Sequence, residues 1–318
     1  MSTAVVNERL AALTASGTSV WLDQIGRNLI ATGEMRRLVD EYCLRGVTSN
    51  PSIFEQAILH SGDYEDELRE LAGEGLSAVE IYRRIAVHDV QQAADVLRPV
   101  WDRSGGADGF VSLEVSPDLA RDITGRTLAE AREYWGLVDR PNLMIKIPGT
   151  PEGLPAIEEA IYDGINVNIT LLFSVEAYAQ VAEAFIRGLE RRHADGKPVN
   201  VHSVASFFVS RVDSAVDKQL AELGREDLQG QAALANARAA YRHFKEIFHG
   251  ERFAALATVG APVQRPLWAS TGTKNPNYSP VLYVDNLAGP ETVNTMPMKT
   301  LMAAAEMSEV TEPAVEED

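Results

Sequence analysis

The segment 141-PNLMIKIPGT-150 sets one lysine, Lys146, among Leu143, Met144, Ile145 and Ile147 and closes on Pro148 and Gly149. An ammonium is costly to bury in apolar surroundings and tends to shed its proton there. Side chains alternate across a strand, so Met144, Lys146 and Pro148 share one face and Ile145 and Ile147 the other. In a sheet covered by helices, a mid-strand lysine has no short route to solvent along its own stem. Lys146 is therefore either the structural partner of a carboxylate or a reactive amine. The other five lysines, Lys197, Lys218, Lys245, Lys274 and Lys299, fall in loops or polar helical stretches.

Outward from this strand, short apolar or β-branched runs alternate with longer helical patterns, the mark of βα units around a parallel sheet. The strand candidates are SVWLDQI (19–25), LRGVTSN (44–50), GFVSLEV (109–115), LMIKIPG (143–149), NVNITLLF (166–173), VNVHSVAS (199–206), PLWAST (266–271) and VLYVDNL (281–287). Eight strands is the number of a (β/α)8 barrel, a TIM barrel, which accommodates a 318-residue chain as one unit. Residues 1–307 are expected to form that barrel with an N-terminal helix, and the acid-rich end, residues 308–318, to be a disordered tail. Amphipathic stretches such as SAVEIYRRIAVHDVQQAADVLRPVWDR and SVEAYAQVAEAFIRGLERRHA supply the outer helices, the second entered at Ser174. GQAALANARAAYRHFKEIFHGERFAAL reads as one long helix or two.

A formal net charge of −17 disfavours nucleic acid and anionic membrane as partners, since both repel an acidic surface. The single cysteine, Cys43, excludes a disulfide within the chain and fits a reducing, cytoplasmic setting, where it reads as a small buried hydrophobe. The N-terminal stretch lacks the apolar run of a signal peptide or membrane span. Monomer and homodimer stay open.

In a parallel barrel, functional groups gather at the C-terminal ends of strands. The polar residues found there are Asp23, Asn50, Glu114, Lys146, Asn168 with Thr170, Ser206, and the STGTKN loop carrying Lys274. Asp23 and Glu114 are carboxylates in apolar strands. Each alone could partner an interior cation, but three ionisable strand-end groups converging on one volume point to chemistry. A desolvated amine can attack a carbonyl and form a Schiff base, whose iminium is an electron sink for breaking a neighbouring carbon–carbon bond with help from an acid/base carboxylate. Asn50 and Asn168 can hold hydroxyls, although Asn50 before Pro51 is equally a turn-maker. Arg211 and Lys274 are candidate phosphate ligands. No metal or cofactor is expected: the six histidines lack metal-ligand spacing, no CxxC occurs, and neither a Walker loop nor a dinucleotide fingerprint is present. His202 reads as a core histidine.

VWLDQIGR, GVTSNPSIF, VSLEVSPDLA, LMIKIPGT, INVNITLLFS, SVASFFVSRVD and PLWASTGTKNP, in this order over residues 19–297, resemble the successive strand motifs of the transaldolase family in its actinobacterial form. The resemblance implies a class I aldolase-like barrel with its Schiff-base lysine, Lys146, on the fourth strand. It implies Asp23 as the acid/base of carbon–carbon cleavage, with Glu114 and Thr170 managing proton transfers through a water. Asn50 and Asn168 would orient the dihydroxyacetone unit, and Ser206, Arg211 and Lys274 would bind substrate, the last two its phosphate. The implied reaction of the pentose phosphate pathway moves dihydroxyacetone from sedoheptulose 7-phosphate to glyceraldehyde 3-phosphate, with phosphorylated sugars as partners and no cofactor. Two departures stand out. Gln24 and Gly26 replace an Asp and a Ser common in relatives, and the chain turns acidic at about residue 308 where relatives continue into a helical segment over the barrel mouth, so a shortened C-terminus without that lid is expected. An aldolase releasing free dihydroxyacetone and a non-catalytic sugar-phosphate binder are the alternatives.

Overall fold

Strand β4, Leu143–Pro148, is buried along its whole length, as an apolar strand must be when both its faces are covered. It is one of eight in a computed structural model that describes residues 5–122, 125–310 and 312–317. The others are β1 (Thr18–Leu22), β2 (Leu44–Val47), β3 (Phe110–Glu114), β5 (Val167–Leu172), β6 (Ser203–Phe208), β7 (Gln264–Ala269) and β8 (Thr292–Met296). All pair in parallel with their sequence neighbours, and β8 closes on β1, giving a (β/α)8 barrel.

The pleat sorts the core into two layers. Trp21, Phe110, Met144, Val204, Leu267 and Val293 form one apolar cluster inside the barrel. Ile145, Ile147, Val111 and Val167 belong to the larger cluster between barrel and helices, where each fully buried side chain of this kind contributes about 1.5–3 kcal/mol. Met144 therefore points inward, and Lys146, two residues on, shares its face. Gly46 on β2 belongs to the same inner layer, where an added Cβ would collide with the Trp21 ring.

Seven strand candidates coincide with observed strands to within a few residues. The eighth does not: within 281–287 the chain forms the helix Leu282–Asn286, and β8 follows at Thr292–Met296. The buried residues of the misread segment, Tyr283, Val284 and Leu287, recur at helical spacing. The true strand buries its polar Thr292, Asn294 and Thr295, bonded to Thr18, Thr271 and Thr48, and so reads as a loop.

The helices follow their caps. Ser77 and Glu80 make a reciprocal capping box that opens the helix Ala78–Arg103, and the Ser174 side chain caps Val175–Ala194. The ambiguous long stretch is two helices, Ala232–Phe248 and Glu251–Ala257, parted at Gly250, whose approach to the Glu246 carbonyl leaves 2.5 Å for a Cβ. An N-terminal helix, Glu8–Ala15, packs beside β1. The acidic end, expected to be disordered, is docked where it is described. Val315 is buried and its N–H donates to the Ala288 carbonyl, while Glu316 and Glu317 pair with Lys245 and Arg238. One apolar residue placed against Gly289 overrides the composition of its neighbours. Thr311 and Asp318 lie outside the described residues.

Candidate active site

At the C-terminal ends of the strands the barrel opens into a cavity of about 830 Å³. Parity puts the polar groups there: Asp23 lies two residues beyond Trp21, Lys146 two beyond Met144, and Ser206 two beyond Val204. Lys146 pairs in register with Glu114 on one side and with Asn168 on the other.

Lys146 Nζ lies 3.0 Å from Glu114 Oε2, with both side chains nearly buried, and donates to the Ser49 carbonyl at 3.1 Å. The amine is thus neither isolated in hydrocarbon nor pointed outward. It is held between a carboxylate and a backbone oxygen at the cavity floor. An ion pair this dry gains little net stability, because desolvation of both partners offsets their attraction. Stability is therefore a weak reason to keep it.

Asp23 shares the cavity. Its Oδ1 accepts a 2.6 Å hydrogen bond from Thr48 Oγ1, which is itself 2.6 Å from Thr295 Oγ1. A hydroxyl has one proton to donate, so with the Thr48 proton spent on Asp23, Thr295 donates to Thr48. Thr48 and Thr295 line the cavity but escaped sequence reading. Strand parity from Gly46 marks Thr48 as inward, whereas Thr295 sits on the strand that was misplaced. The loop after Asp23 is fixed by Arg27, whose N–H donates to Tyr64 Oη at 2.8 Å and whose guanidinium meets Asp89 at 3.0 Å. Gly26 there is extended and not left-handed, so glycine is not demanded by its backbone angle.

Thr170 Oγ1 is buried with no hydrogen-bond partner among the described residues, although it lines the cavity. A hydroxyl left so costs stability unless water or a ligand completes it. Leu171, next to it, has a left-handed φ of 65°, a strained state for a branched residue, and the β5–β6 register breaks here. The kink ends β5 at the rim.

Asn50 lines the cavity, and its side-chain oxygen also accepts from the Ile53 N–H to cap the helix Pro51–His60. The turn-making and functional readings hold together, with the amide nitrogen left uncommitted among the described residues. Ser206 lines the cavity and donates to Asn168 Oδ1 at 2.7 Å. Asn168, fully buried and donating to Ser112 Oγ, is the one candidate that lies beneath the cavity and not on its wall.

Arg211 and Lys274 complete the rim. Arg211 stacks its guanidinium 4.9 Å from the Phe208 ring centre, and neither cation makes an ion pair among the described residues. The lining carries three cations, Lys146, Arg211 and Lys274, against two carboxylates, Asp23 and Glu114, a locally positive basin in a chain of net charge −17. No group of His, Cys, Asp or Glu side chains suited to a metal is assembled among the described residues, and no helix there is long and apolar enough to cross a membrane.

Fold and site together define a (β/α)8 enzyme built around a buried amine flanked by carboxylates, with cations at its rim. The family described as Transaldolase/Fructose-6-phosphate aldolase matches residues 20–318. The chain is 50% identical over 306 residues to the transaldolase of Saccharopolyspora erythraea, covering 96% of this chain and 83% of that one. It is 53% identical to transaldolase 1 of Streptomyces avermitilis, over 95% of this chain and 81% of the relative. The transaldolase of Thermobifida fusca is 52% identical, over 95% and 83%. The chain belongs to the transaldolase/fructose-6-phosphate aldolase family, as the seven strand motifs led one to expect.

Proposed function

We propose that this chain is a transaldolase that carries a dihydroxyacetone unit from sedoheptulose 7-phosphate to glyceraldehyde 3-phosphate on Lys146, within the pentose phosphate pathway of the cytoplasm. The observation that carries the reading is the inward-facing Lys146 amine, 3.0 Å from Glu114, in a cavity that Asp23 and the cations Arg211 and Lys274 share.

The chemistry runs as follows. Lys146 Nζ passes a proton to Glu114 and adds to the ketose carbonyl to give a carbinolamine. Loss of water, with Glu114 and a water held by the free Thr170 hydroxyl carrying the protons, leaves an iminium. Asp23 takes the proton of the C4 hydroxyl, the C3–C4 bond breaks, and its electron pair flows into the iminium to form an enamine. The four-carbon aldehyde phosphate departs. Glyceraldehyde 3-phosphate enters, the enamine carbon attacks its carbonyl, and Asp23 returns the proton to the new alkoxide. Hydrolysis of the resulting iminium frees fructose 6-phosphate and Lys146. The Thr295–Thr48 chain holds the Asp23 carboxylate in place through the hydrogen bond to its Oδ1. Asn50 orients hydroxyls directly, and Asn168 acts one layer down by fixing Ser206. Arg211 and Lys274 bind the phosphate, which the positive basin draws in against the acidity of the whole chain.

Borohydride reduction in the presence of fructose 6-phosphate, followed by peptide mapping, tests the assignment. Label on Lys146 is the expected result, and label on any other lysine refutes it. Incubation of fructose 6-phosphate with and without erythrose 4-phosphate then separates transfer from cleavage. A transaldolase forms sedoheptulose 7-phosphate and little free dihydroxyacetone. Release of dihydroxyacetone at a comparable rate without acceptor marks an aldolase.

A further inference from the structure

The two rim cations sit on different elements. Arg211 lies in the first turn of the helix Ser210–Glu222, which follows β6. Lys274 belongs to the irregular connection between β7 and the helix Leu282–Asn286. A phosphate bound by both needs their separation fixed, and a connection of this length has no internal ladder to fix it.

At its base the connection is tied by the Ser210 N–H, which donates to the Ser270 carbonyl at 3.1 Å, and by the 3.0 Å contact of the two serine hydroxyls. Further along it is tied twice more. Tyr278 Oη donates to Asp217 Oδ2 at 2.6 Å, and Tyr283 Oη donates to Asp213 Oδ2 at 2.7 Å. Asp213 and Asp217 are four residues apart and so face the same way from the helix that bears Arg211. The second oxygen of each is also engaged: Asp213 Oδ1 accepts from the Ala233 N–H at 2.7 Å, and Asp217 Oδ1 from the Gly230 N–H at 3.0 Å.

Asp213 is 1% exposed, yet neither aspartate enters an ion pair among the described residues. A carboxylate this dry normally takes a cation. Neutral donors occupy both acids instead, and both cations are left to the cavity. Burial pushes the Tyr278 hydroxyl up to about 12 and Tyr283 higher still, so both remain donors throughout the working range.

We infer that Tyr278 and Tyr283 are positioning residues that clamp the Lys274 connection onto the Arg211 helix. They hold the two cations at one spacing, which gives the enzyme its preference for phosphorylated sugars. This rests on the assignment of Arg211 and Lys274 as phosphate ligands under the proposed function. Neither tyrosine lines the cavity, so the clamp acts on binding and not on bond cleavage.

Tyr278→Phe, at the more exposed of the two positions, tests it. KM for fructose 6-phosphate and the inhibition constant of inorganic phosphate are expected to rise roughly fivefold, part of the strength of one hydrogen bond to a carboxylate. Both kcat and turnover of unphosphorylated fructose stay unchanged. Equal loss on phosphorylated and unphosphorylated donors, or a fall in kcat alone, overturns the clamp. Arg211→Ala and Lys274→Ala separate the two levels. If these spare phosphate affinity, the underlying site assignment fails. If they abolish it and Tyr278→Phe does not change it, the clamp alone fails. Tyr283→Phe is measured beside Tyr278→Phe with thermal unfolding, so that a loss of folded protein at the buried position is not read as a loss of phosphate affinity.

Discussion

The two ends of this barrel carry similar polar residues and treat them in opposite ways. At the N-terminal end Asp108 accepts from Ser19 Oγ and from Trp21 Nε1 at 2.9 Å, while Arg265 donates to Ser19 Oγ at 2.7 Å and to the Ala107 carbonyl at 3.0 Å. Arg265 and Asp108 approach to 3.5 Å. The donors and acceptors turn on one another and close the floor. At the C-terminal end Lys146 and Glu114 also pair, but among the described residues Thr170 keeps a free hydroxyl and Arg211 and Lys274 keep unpaired charges around an open cavity. A polar cluster that satisfies itself is structural, and one left partly unsatisfied beside open space is prepared for something else. Composition does not tell them apart, since an acid and a base on barrel strands occur at both ends.

Substitutions at the two ends should therefore fail differently. The largest effect is expected for Lys146→Met, which removes the amine at nearly constant shape: activity falls by at least about 10⁴-fold, the scale of losing a covalent nucleophile. Borohydride labelling disappears with it. Retained turnover in Lys146→Met would break the comparison at its open end. Next comes Asp23→Asn, for which a loss of about 10²–10⁴ in kcat is expected for a general acid/base. Schiff-base trapping should persist, because carbinolamine formation does not use Asp23.

At the closed end Arg265→Met should leave kcat and KM unaltered. It should lower unfolding stability by about 2–3 kcal/mol in denaturant titration, the result of stranding the Asp108 carboxylate. A catalytic defect in well-folded Arg265→Met would show that the floor also serves the chemistry. The smallest effect is in pH dependence. Burial, with Arg265 adding to it, holds the His202 imidazole down to about 4, against the opposing pull of Asp108. Its ring lies 5.3 Å from that of Phe110. Folded protein thus keeps His202 neutral where the unfolded chain takes up a proton. Its contribution is full above about pH 6.5 and is lost as pH falls toward 4, at up to about 1.4 kcal/mol per unit. His202→Gln should flatten the stability profile in that window, as followed by thermal melting, while the activity profile at neutral pH keeps its shape.

The docked C-terminal end teaches a related lesson. Several acids in the last residues suggested disorder, yet Val315 is buried against Gly289 and two of the acids find cations on the helix Ala232–Phe248. Composition averages over a segment, whereas docking depends on one side chain meeting one hollow.

The sequence by itself determined the period of the chain: seven strands, the long amphipathic helices, the helix entry at Ser174 and the shared face of Met144 and Lys146 on β4 follow from alternation, apolar spacing and a Ser at a helix entry. Those signals are local, each being carried by a few consecutive residues. Of the nine candidates it marked, eight line or rim the cavity, since strand ends are where a parallel barrel must put them. Tertiary structure alone decided which polar residues meet. It set β8 at Thr292–Met296, where Thr292, Asn294 and Thr295 are buried against Thr18, Thr271 and Thr48 from elsewhere in the chain. It moved Asn168 beneath the cavity, joined Thr48 and Thr295 to Asp23, and turned Tyr278 and Tyr283 onto a helix 61 and 70 residues away in sequence. A buried hydrogen bond is specified by its partner, and no stretch of sequence around one residue names a partner so far along the chain.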